Sequence, residues 1–578
     1  MKLKTNYRVG EIPLSEYPRP QLRRDSYVCL NGQWELKKYS EQGEELFSGK
    51  ILVPFSPETL LSGVEDGFSL EKNEKLVYRR VFALPTGFVK DVTLLHFGAV
   101  DQACEVFLNG EWVCAHRGGY TPFTADITAA LKSGENELVV KCTDQTEANG
   151  WGRGKQSSNP GTIWYTKQSG IWQTVWLESV PSEYFKTLKI KPDYFTSSVK
   201  IETDLVGKKT VRVFDGERLI FEQAYSETDV TICYPFEPWT PEKPKLYTFT
   251  LESESGDKIE SYFGMRSFGE AKDCNGKMRL TLNGKPYFMN GVLDQGYWCD
   301  GLLTHPCDEA IVNELTLLKE MGFNMVRKHI KVEPLRWYYH CDRLGLIVWQ
   351  DFVNGGGEYN FWHIAAFPFL GFKHKDSDYA YFSRENDGGR EEFISSFQET
   401  VETLYNCVSI GVWVPFNEGW GQFDSAEITE RLRALDNSRI IDSVSGWHDQ
   451  GVGKTQLKSL HIYYTPIKVP KDERPVVLSE FGGYSMQTEG HVFNPEKEFG
   501  YKKFKDQESL VCALEKLYLK KLKPLIQKGL CACVYTQVSD VEEEINGLVT
   551  YDRKVVKVPV EAMRKINEEI KAEAEKVR

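Results

Sequence analysis

Two carboxylates are set apart by where they fall in the sequence. Glu418 lies in "SIGVWVPFNEGWGQFD" and Glu480 in "PVVLSEFGG". Each closes an apolar run of strand-forming residues and has glycine within the next two positions. A carboxylate at the end of a dry strand is expensive to bury without a purpose or a partner. Two that face each other can divide an acid–base task. The field of an ionised Glu480, together with a Trp-lined setting, raises the pKa of Glu418 and keeps it protonated near neutral pH. Arg327, if it reaches Glu480, holds that group ionised, and Tyr463 can hydrogen-bond and orient the same carboxylate. Cleavage of a glycosidic bond needs such a pair. A salt-bridged strand end accounts equally well for one such Glu; two in the same context argue for function.

The elements that would position them come after residue 270. Eight apolar runs alternate there with helical stretches: "YFMNGV", "NMVRKHI", "LIVWQD", "SIGVWVPFNE", "RIIDSVSG", "SLHIYY", "PVVLSEFG" and "CACVYTQVS". Helical period is plain in "DEAIVNELTLLKEMG", "DSAEITERLRALD" and the closing "PVEAMRKINEEIKAEAEKVR". The segments near 449–458 and 466–473 are short or contain proline. This alternation predicts a (β/α)8 TIM barrel over 271–578, with its chemistry at the C-terminal ends of the strands. Those ends carry Asp294 after the first strand, Arg327 and His329 on the second, and Asp351 on the third. Asn417 and Glu418 end the fourth, Trp447 and His448 follow the fifth, Tyr463 ends the sixth, Glu480 the seventh, and Tyr535 lies on the eighth. Glu418 and Glu480 are the expected catalytic pair. Asn417, Asp294, Arg327, His329, Asp351, Trp447, Tyr463 and Tyr535 are the expected substrate contacts. Asp351 reads equally as a helix cap or a partner of Arg327, and Trp447 equally as core or as a sugar platform.

Residues 1–182 and 183–270 read as two β-sandwiches. Short alternating strands are separated by Gly, Asn and Asp turns, with the hairpin signal Asn-Gly in "FLNGEWV". The second is immunoglobulin-like in size. The stretch "NGWGRGKQSSNPGTIWYT" is rich in aromatic and basic residues, which suits the barrel mouth or a neighbouring subunit. The acidic run "DVEEE" after the eighth strand reads as a solvated loop or, alternatively, as favouring a neutral or cationic substrate. At 578 residues the chain exceeds one core and implies three to four domains. A net charge of −12 argues against a nucleic-acid partner. No apolar run spans a bilayer and the N-terminus lacks a signal-peptide core. The 13 cysteines form no paired framework and no zinc spacing, so reduced thiols and a cytoplasmic location are expected. No cofactor or metal ligand set is read. Exposed sandwich edges leave a homo-oligomer open.

At these residues the sequence resembles glycoside hydrolase family 2, which holds β-galactosidases, β-glucuronidases and β-mannosidases. "YPRPQLRRDSYVCLNGQWEL" and "TKQSGIWQTVWLE" resemble the family's sugar-binding jelly roll. "EPWTPEKPKLYTFTLE" and "FGMRSF" resemble its immunoglobulin-like domain, and "GFNMVRKHI", "DRLGLIVWQD", "PFNEGWGQ" and "VLSEFGG" its barrel. The resemblance implies a retaining double displacement with Glu480 as nucleophile and Glu418 as acid, then base. It further implies that Asn417 bonds the sugar 2-OH, that Tyr463 is the tyrosine near the nucleophile, and that Arg327 is the family's strand-two arginine. Tyr535 stands where many members have Trp. The glucuronidases' Asn-x-Lys is replaced by Asn546, Gly547 and Leu548, which disfavours a glucuronide. The galactosidases' Glu-x-His near the third strand is missing from "WQDFVNGGG", which argues against a magnesium requirement. The expected substrate is an oligosaccharide or glycoside, and the expected activity exo-acting release of a terminal sugar, β-galactosyl first. Another specificity of the family (β-galactofuranosidase or α-L-arabinofuranosidase, β-mannosidase or β-glucuronidase) or a non-catalytic carbohydrate-binding protein are the alternatives.

Overall fold

The computed structural model describes residues 2–451 and 456–577. The N-terminal jelly roll packs a six-stranded antiparallel sheet on a four-stranded one. The larger sheet is centred on strands Gly32–Tyr39, Lys75–Ala83 and Glu135–Thr143; the smaller is built around Val92–Phe97 and Val175–Val180. Alternate residues of both sheets, such as Trp34, Leu36, Leu138, Val140, Leu95 and Leu177, fill the space between them. The immunoglobulin-like domain follows, with three strands packed on four around Val211, Val213, Phe249 and Leu251.

The barrel has eight parallel strands: β1 (Met289–Asp294), β2 (Met325–Lys328), β3 (Ile347–Asp351), β4 (Ile410–Val414), β5 (Ile440–Ile441), β6 (Lys458–Ile462), β7 (Val476–Gly482) and β8 (Leu530–Thr536). Hydrogen-bonded neighbours run β5-β4-β3-β2-β1-β8-β7-β6. Among the described residues no backbone ladder joins β5 to β6. Side chains bridge that seam: Ser459 Oγ donates to Asp442 Oδ2 at 2.8 Å, and Ser445 Oγ lies 3.0 Å from His461 Nε2. The outer layer includes α1 (Asp308–Glu320), α2 (Leu335–Leu344), α3 (Asp387–Leu404), α4 (Ser425–Leu435), α5 (Gln507–Glu515) and α6 (Val560–Glu575). The β5–β6 and β6–β7 connections carry no helix among the described residues, and residues 452–455 of the first lie outside them. A three-stranded meander from Phe268 to Pro286 brings Leu280 and Leu282 to the core inside the strands.

Strand parity decides what faces the mouth. Met289, Leu293, Met325, Ile347, Trp349, Val412, Val414, Val477 and Val534 join the interior cluster. Their neighbours Val292, Val326, Val348, Trp413, Leu478, Cys533 and Tyr535 pack outward with residues of the helices, Leu315 and Trp337 among them. Arg327 and Asp351 continue the inward set. Asp294 and Tyr535 fall on the outward one.

Candidate active site

Arg327 is the hub of the mouth and is fully buried. Its guanidinium grips Asp351 with two bonds, Nε to Oδ1 at 2.9 Å and Nη2 to Oδ2 at 3.0 Å. Nη2 also donates to Asn417 Oδ1 at 2.8 Å, and Nη1 donates to Glu480 Oε1 and to the Ser479 carbonyl, both at 3.1 Å. One planar fork thus fixes the ends of β2, β3 and β7 and of the strand extension after β4.

Both carboxylates reach the cavity through irregular backbone. Val414 faces the interior but Phe416, two positions on, packs with the helix-side cluster, so the alternation is already broken at Pro415. Counting on from Phe416 turns Asn417 inward and Glu418 outward. Glu418 instead adopts φ 50°, in the left-handed region, and its amide donates to the Ser445 carbonyl at 3.0 Å. Gly419 follows at φ 75°, where a Cβ would stand 2.7 Å from the His448 ring. On β7, Leu478 and Phe481 both pack outward, so two residues occupy the inward step between them. The pairing registers with β6 and β8 shift in this same neighbourhood. Such a bulge turns Glu480 inward beside Ser479.

One oxygen from each carboxylate and a ring nitrogen of His461 lie within 4.8 Å of one another. His461 Nδ1 stands 2.6 Å from Glu418 Oε1, and Nε2 3.5 Å from Glu480 Oε1. Tyr463 donates a short hydrogen bond to Glu480 Oε2, and its ring stacks on Tyr501 at 3.6 Å. The two environments push in opposite directions. Burial lifts the Glu418 carboxyl above the usual range and the charge of Glu480 adds to this, while His461 and Lys155 oppose it. Burial acts on Glu480 too, but His461, Arg327 and the Tyr463 hydrogen bond outweigh it and hold that group low. The cluster Glu418–His461–Glu480 is the one grouping among the described residues compact enough to hold a metal ion. Its donor atoms are already engaged with one another, with Arg327 and with Tyr463, which suits proton handling better than a cation.

Of the expected contacts, Arg327, Asp351, Asn417, Tyr463 and His329 gather around the pair. His329 Nδ1 lies 2.8 Å from Asp351 Oδ2, and burial keeps its imidazole neutral. Asn417 Nδ2 is buried without a partner, an amide donor left for a ligand. Trp447 sits 6.1 Å from the His461 ring and 4.9 Å from Phe369, on the wall. Two expectations are corrected. Asp294 accepts from Lys328 Nζ at 2.5 Å and from the Gly296 amide at 2.8 Å, in a buried network with Glu333. Tyr535 packs between Phe481 and Tyr518 and pairs with the Tyr484 backbone. Both lie on the outward parity.

A third correction concerns "DVEEE", which is not a solvated loop. Glu542 and Glu543 accept from the backbone amides of Thr166 and Thr162 at 2.9 and 3.0 Å, and Glu544 from Tyr165 Oη at 2.5 Å. These residues belong to the jelly-roll stretch read above as suited to the barrel mouth, and that is where it lies. Its other end pairs Gly152 with Gly355, and the amides of Arg153 and Gly154 donate to the Asn354 carbonyl. Trp164 packs 5.1 Å from Trp420, which follows Glu418 by two positions. Lys155 lies over Trp420 at 4.5 Å. Sequence reasoning missed His461, Tyr501, Trp420 and Lys155. His461 carried a local signal, as a titratable residue inside the apolar run "SLHIYY". Lys155 lies in the aromatic and basic stretch read as suited to the barrel mouth, though neither was singled out.

Comparison with known proteins agrees with this architecture. Residues 19–181 match "Glycosyl hydrolases family 2, sugar binding domain", residues 187–266 "Glycosyl hydrolases family 2", and residues 276–572 "Glycosyl hydrolases family 2, TIM barrel domain". A β-galactosidase of Photobacterium profundum is 25% identical over 566 residues, covering 84% of this chain and 51% of that protein. A putative β-glucuronidase of Formosa agariphila is 29% identical over 474 residues, covering 69% of this chain and 49% of that one. The chain spans about half the length of the curated relatives it matches. Among solved structures, a β-galacturonidase from Eisenbergiella tayi bound to galacturonate superposes with TM-score 0.70 at 18% identity, covering 96% of this chain and 99% of that one. A β-D-glucuronidase of Dictyoglomus thermophilum gives TM-score 0.74 at 17% identity, covering 96% and 98%. At such identities these structures speak for the fold alone.

Proposed function

The chain belongs to glycosyl hydrolases family 2, and from that premise we propose that it is a retaining exo-glycosidase acting by double displacement. The observation that carries this reading is the close approach of Glu418 and Glu480 with their pKa values pushed apart. Carboxyl groups about 5–5.5 Å apart suit a covalent intermediate, whereas inversion needs about 6.5–9.5 Å to seat a water. An oxygen pair within 4.8 Å fits the shorter class.

In the first step a Glu480 oxygen bonds to the anomeric carbon as the bond to the leaving oxygen breaks. The proton of Glu418 goes to that oxygen. In the second, Glu418 takes a proton from water, whose oxygen attacks the anomeric carbon and releases Glu480. Arg327 and Tyr463 hold the two oxygens of Glu480 so that one attacks along a fixed line. Asn417 Nδ2 is free to bond the sugar 2-OH, an interaction that strengthens in the transition state.

The test is a panel of nitrophenyl glycosides with Glu480→Gln and Glu418→Gln. Each change is expected to lower turnover by roughly 10⁴-fold or more. Azide should partly restore Glu418→Gln on substrates with good leaving groups. Undiminished turnover in either variant would overturn the reading. For the glycone, the names of several sequence relatives favour a β-galactosyl unit. A second reading, an acidic sugar, is favoured by Lys155 and is argued next.

A further inference from the structure

Five lysines are buried in the described chain: Lys155, Lys209, Lys328, Lys331 and Lys557. Four of them give the ammonium to two or more acceptors. Lys328 meets Asp294 and Glu333; Lys331 meets Glu333 and the carbonyls of Gly296 and Leu303. Lys557 meets Asp540 and the Ile545 carbonyl, and Lys209 two carbonyls of its own turn. Lys155 is the exception. It is 5% exposed, yet among the described residues no acceptor bonds its ammonium and no carboxylate lies within ion-pair distance. It rests instead on aromatic faces, Trp420 at 4.5 Å, Trp164 at 5.5 Å and Tyr165 at 5.7 Å. Cation–π contact offsets part of the desolvation but supplies no acceptor.

The placement is not slack. The jelly-roll loop that carries Lys155 is pinned at both ends, to Asn354 and Gly355 on one side and to Glu542, Glu543 and Glu544 on the other. A second unsatisfied donor stands beside it: Trp420 Nε1 is buried without a partner, on the ring that Lys155 covers. Two adjacent donors thus lack acceptors on this wall of the mouth, as do Asn417 Nδ2 and, in the same loop, Arg153 Nε. The missing acceptor therefore arrives with the ligand.

We propose that Lys155, with Trp420 Nε1, receives a carboxylate on the sugar being released, so that the substrate is a uronide. The inference rests on the glycosidase reading above. A single ammonium in a mouth that already holds Glu418 and Glu480 matches one singly charged group, and a uronic acid carries one. The jelly roll then supplies part of the substrate site from another domain.

The experiment compares kcat/KM for the nitrophenyl β-galactoside, β-glucuronide and β-galacturonide in the wild-type chain and in Lys155→Met. One of the two uronides should be the better substrate of the wild type. Lys155→Met should cut the ratio of uronide to galactoside kcat/KM by roughly 10–100-fold, the range for a lost charged hydrogen bond, and act chiefly through KM. Free glucuronate or galacturonate should compete with substrate in the wild type at lower concentration than galactose, a readout that needs no variant. A wild type that prefers the neutral galactoside, a ratio unmoved by Lys155→Met, or equal competition by galactose would each overturn the proposal. None of these touches the glycosidase reading, which stands or falls with Glu480→Gln on whichever substrate is best.

Discussion

Two groupings of buried or partly buried carboxylates, one in the jelly roll and one at the barrel mouth, differ in how far they are equipped for chemistry. In the jelly roll, Glu58, Asp144 and Asp101 sit close enough for their charges to interact, and all three are pushed up: Glu58 to about 7, Asp144 to about 6, and Asp101 well above its ordinary range, each chiefly by burial. Their partners are neutral donors: Ser169 for Glu58, the Thr146 amide for Asp144, Gln156 for Asp101. None has an ion-pair partner among the described residues. At the barrel mouth, burial raises both Glu418 and Glu480 and His461 opposes it at both, but Arg327 and Tyr463 bond Glu480 and sort the two apart. A raised carboxyl alone marks a dry place. Two carboxyls driven in opposite directions, one by burial and the other by a placed guanidinium and hydroxyl, suit an acid and a nucleophile.

The contrast predicts where the mouth is fragile. Arg327→Lys keeps the charge but loses the fork joining Asp351, Asn417 and Glu480. Turnover on the best glycoside should fall on the order of 100-fold or more through misplacement of the nucleophile. A loss below tenfold in a normally melting protein would make Arg327 a brace rather than an organiser. Tyr463→Phe removes one hydrogen bond to an ionised group, and kcat should fall roughly 10–100-fold. Because that bond helps hold Glu480 low, the acid limb of the pH profile should also move to higher pH. His461→Ala acts on both partners. Its loss leaves Glu418 and Glu480 each higher, so both limbs should shift alkaline together, with roughly tenfold lower kcat. A profile that only shrinks, with its limbs in place, would reduce His461 to packing.

Much of this was legible in the sequence, and the misses have physical causes. Alternation between strand and helix gave the barrel, and the two strand-end Glu gave the pair proposed for catalysis. Parity within the strands was the neglected clue. Counting from Leu293 puts Asp294 on the helix side with Lys328, and counting from Val534 puts Tyr535 there with Cys533. The same counting from Val477 would have rejected Glu480, which enters the cavity through a bulge. From Val414 it misplaces Phe416, which packs outward just before the left-handed Glu418. Local irregularity at a functional site defeats a periodic rule. Lys155 and the role of "DVEEE" were hidden for another reason: their pairing joins residues nearly 400 positions apart, and no local pattern encodes it.

The smallest expected effect is on stability, and it separates the two groupings by sign. Asp144 keeps its proton in the fold up to about pH 6 and Glu58 up to about pH 7, whereas the unfolded chain releases both near pH 4. Between those limits the native state binds more protons, so stability falls as pH rises. The contribution is complete below the unfolded values and is lost as pH climbs through 6 and 7. Glu480, held low, works the other way: its share is present above the ordinary carboxylate range and lost on acidification. Asp144→Asn with Glu58→Gln should therefore flatten the decline in stability from pH 5 to pH 8. The difference should be about 1–3 kcal/mol by denaturant titration at the two pH values. Other raised carboxyls, Asp442 at about 6 and Glu542 at about 7, leave part of the slope in place. Glu480→Gln should leave that decline as it is and instead lessen the loss of stability on acidification below about pH 5, where the unfolded carboxylate takes up a proton that the folded one refuses. If the jelly-roll double variant declines as the wild type does, its carboxylates are ionised in the fold, and the distinction between the two groupings is lost.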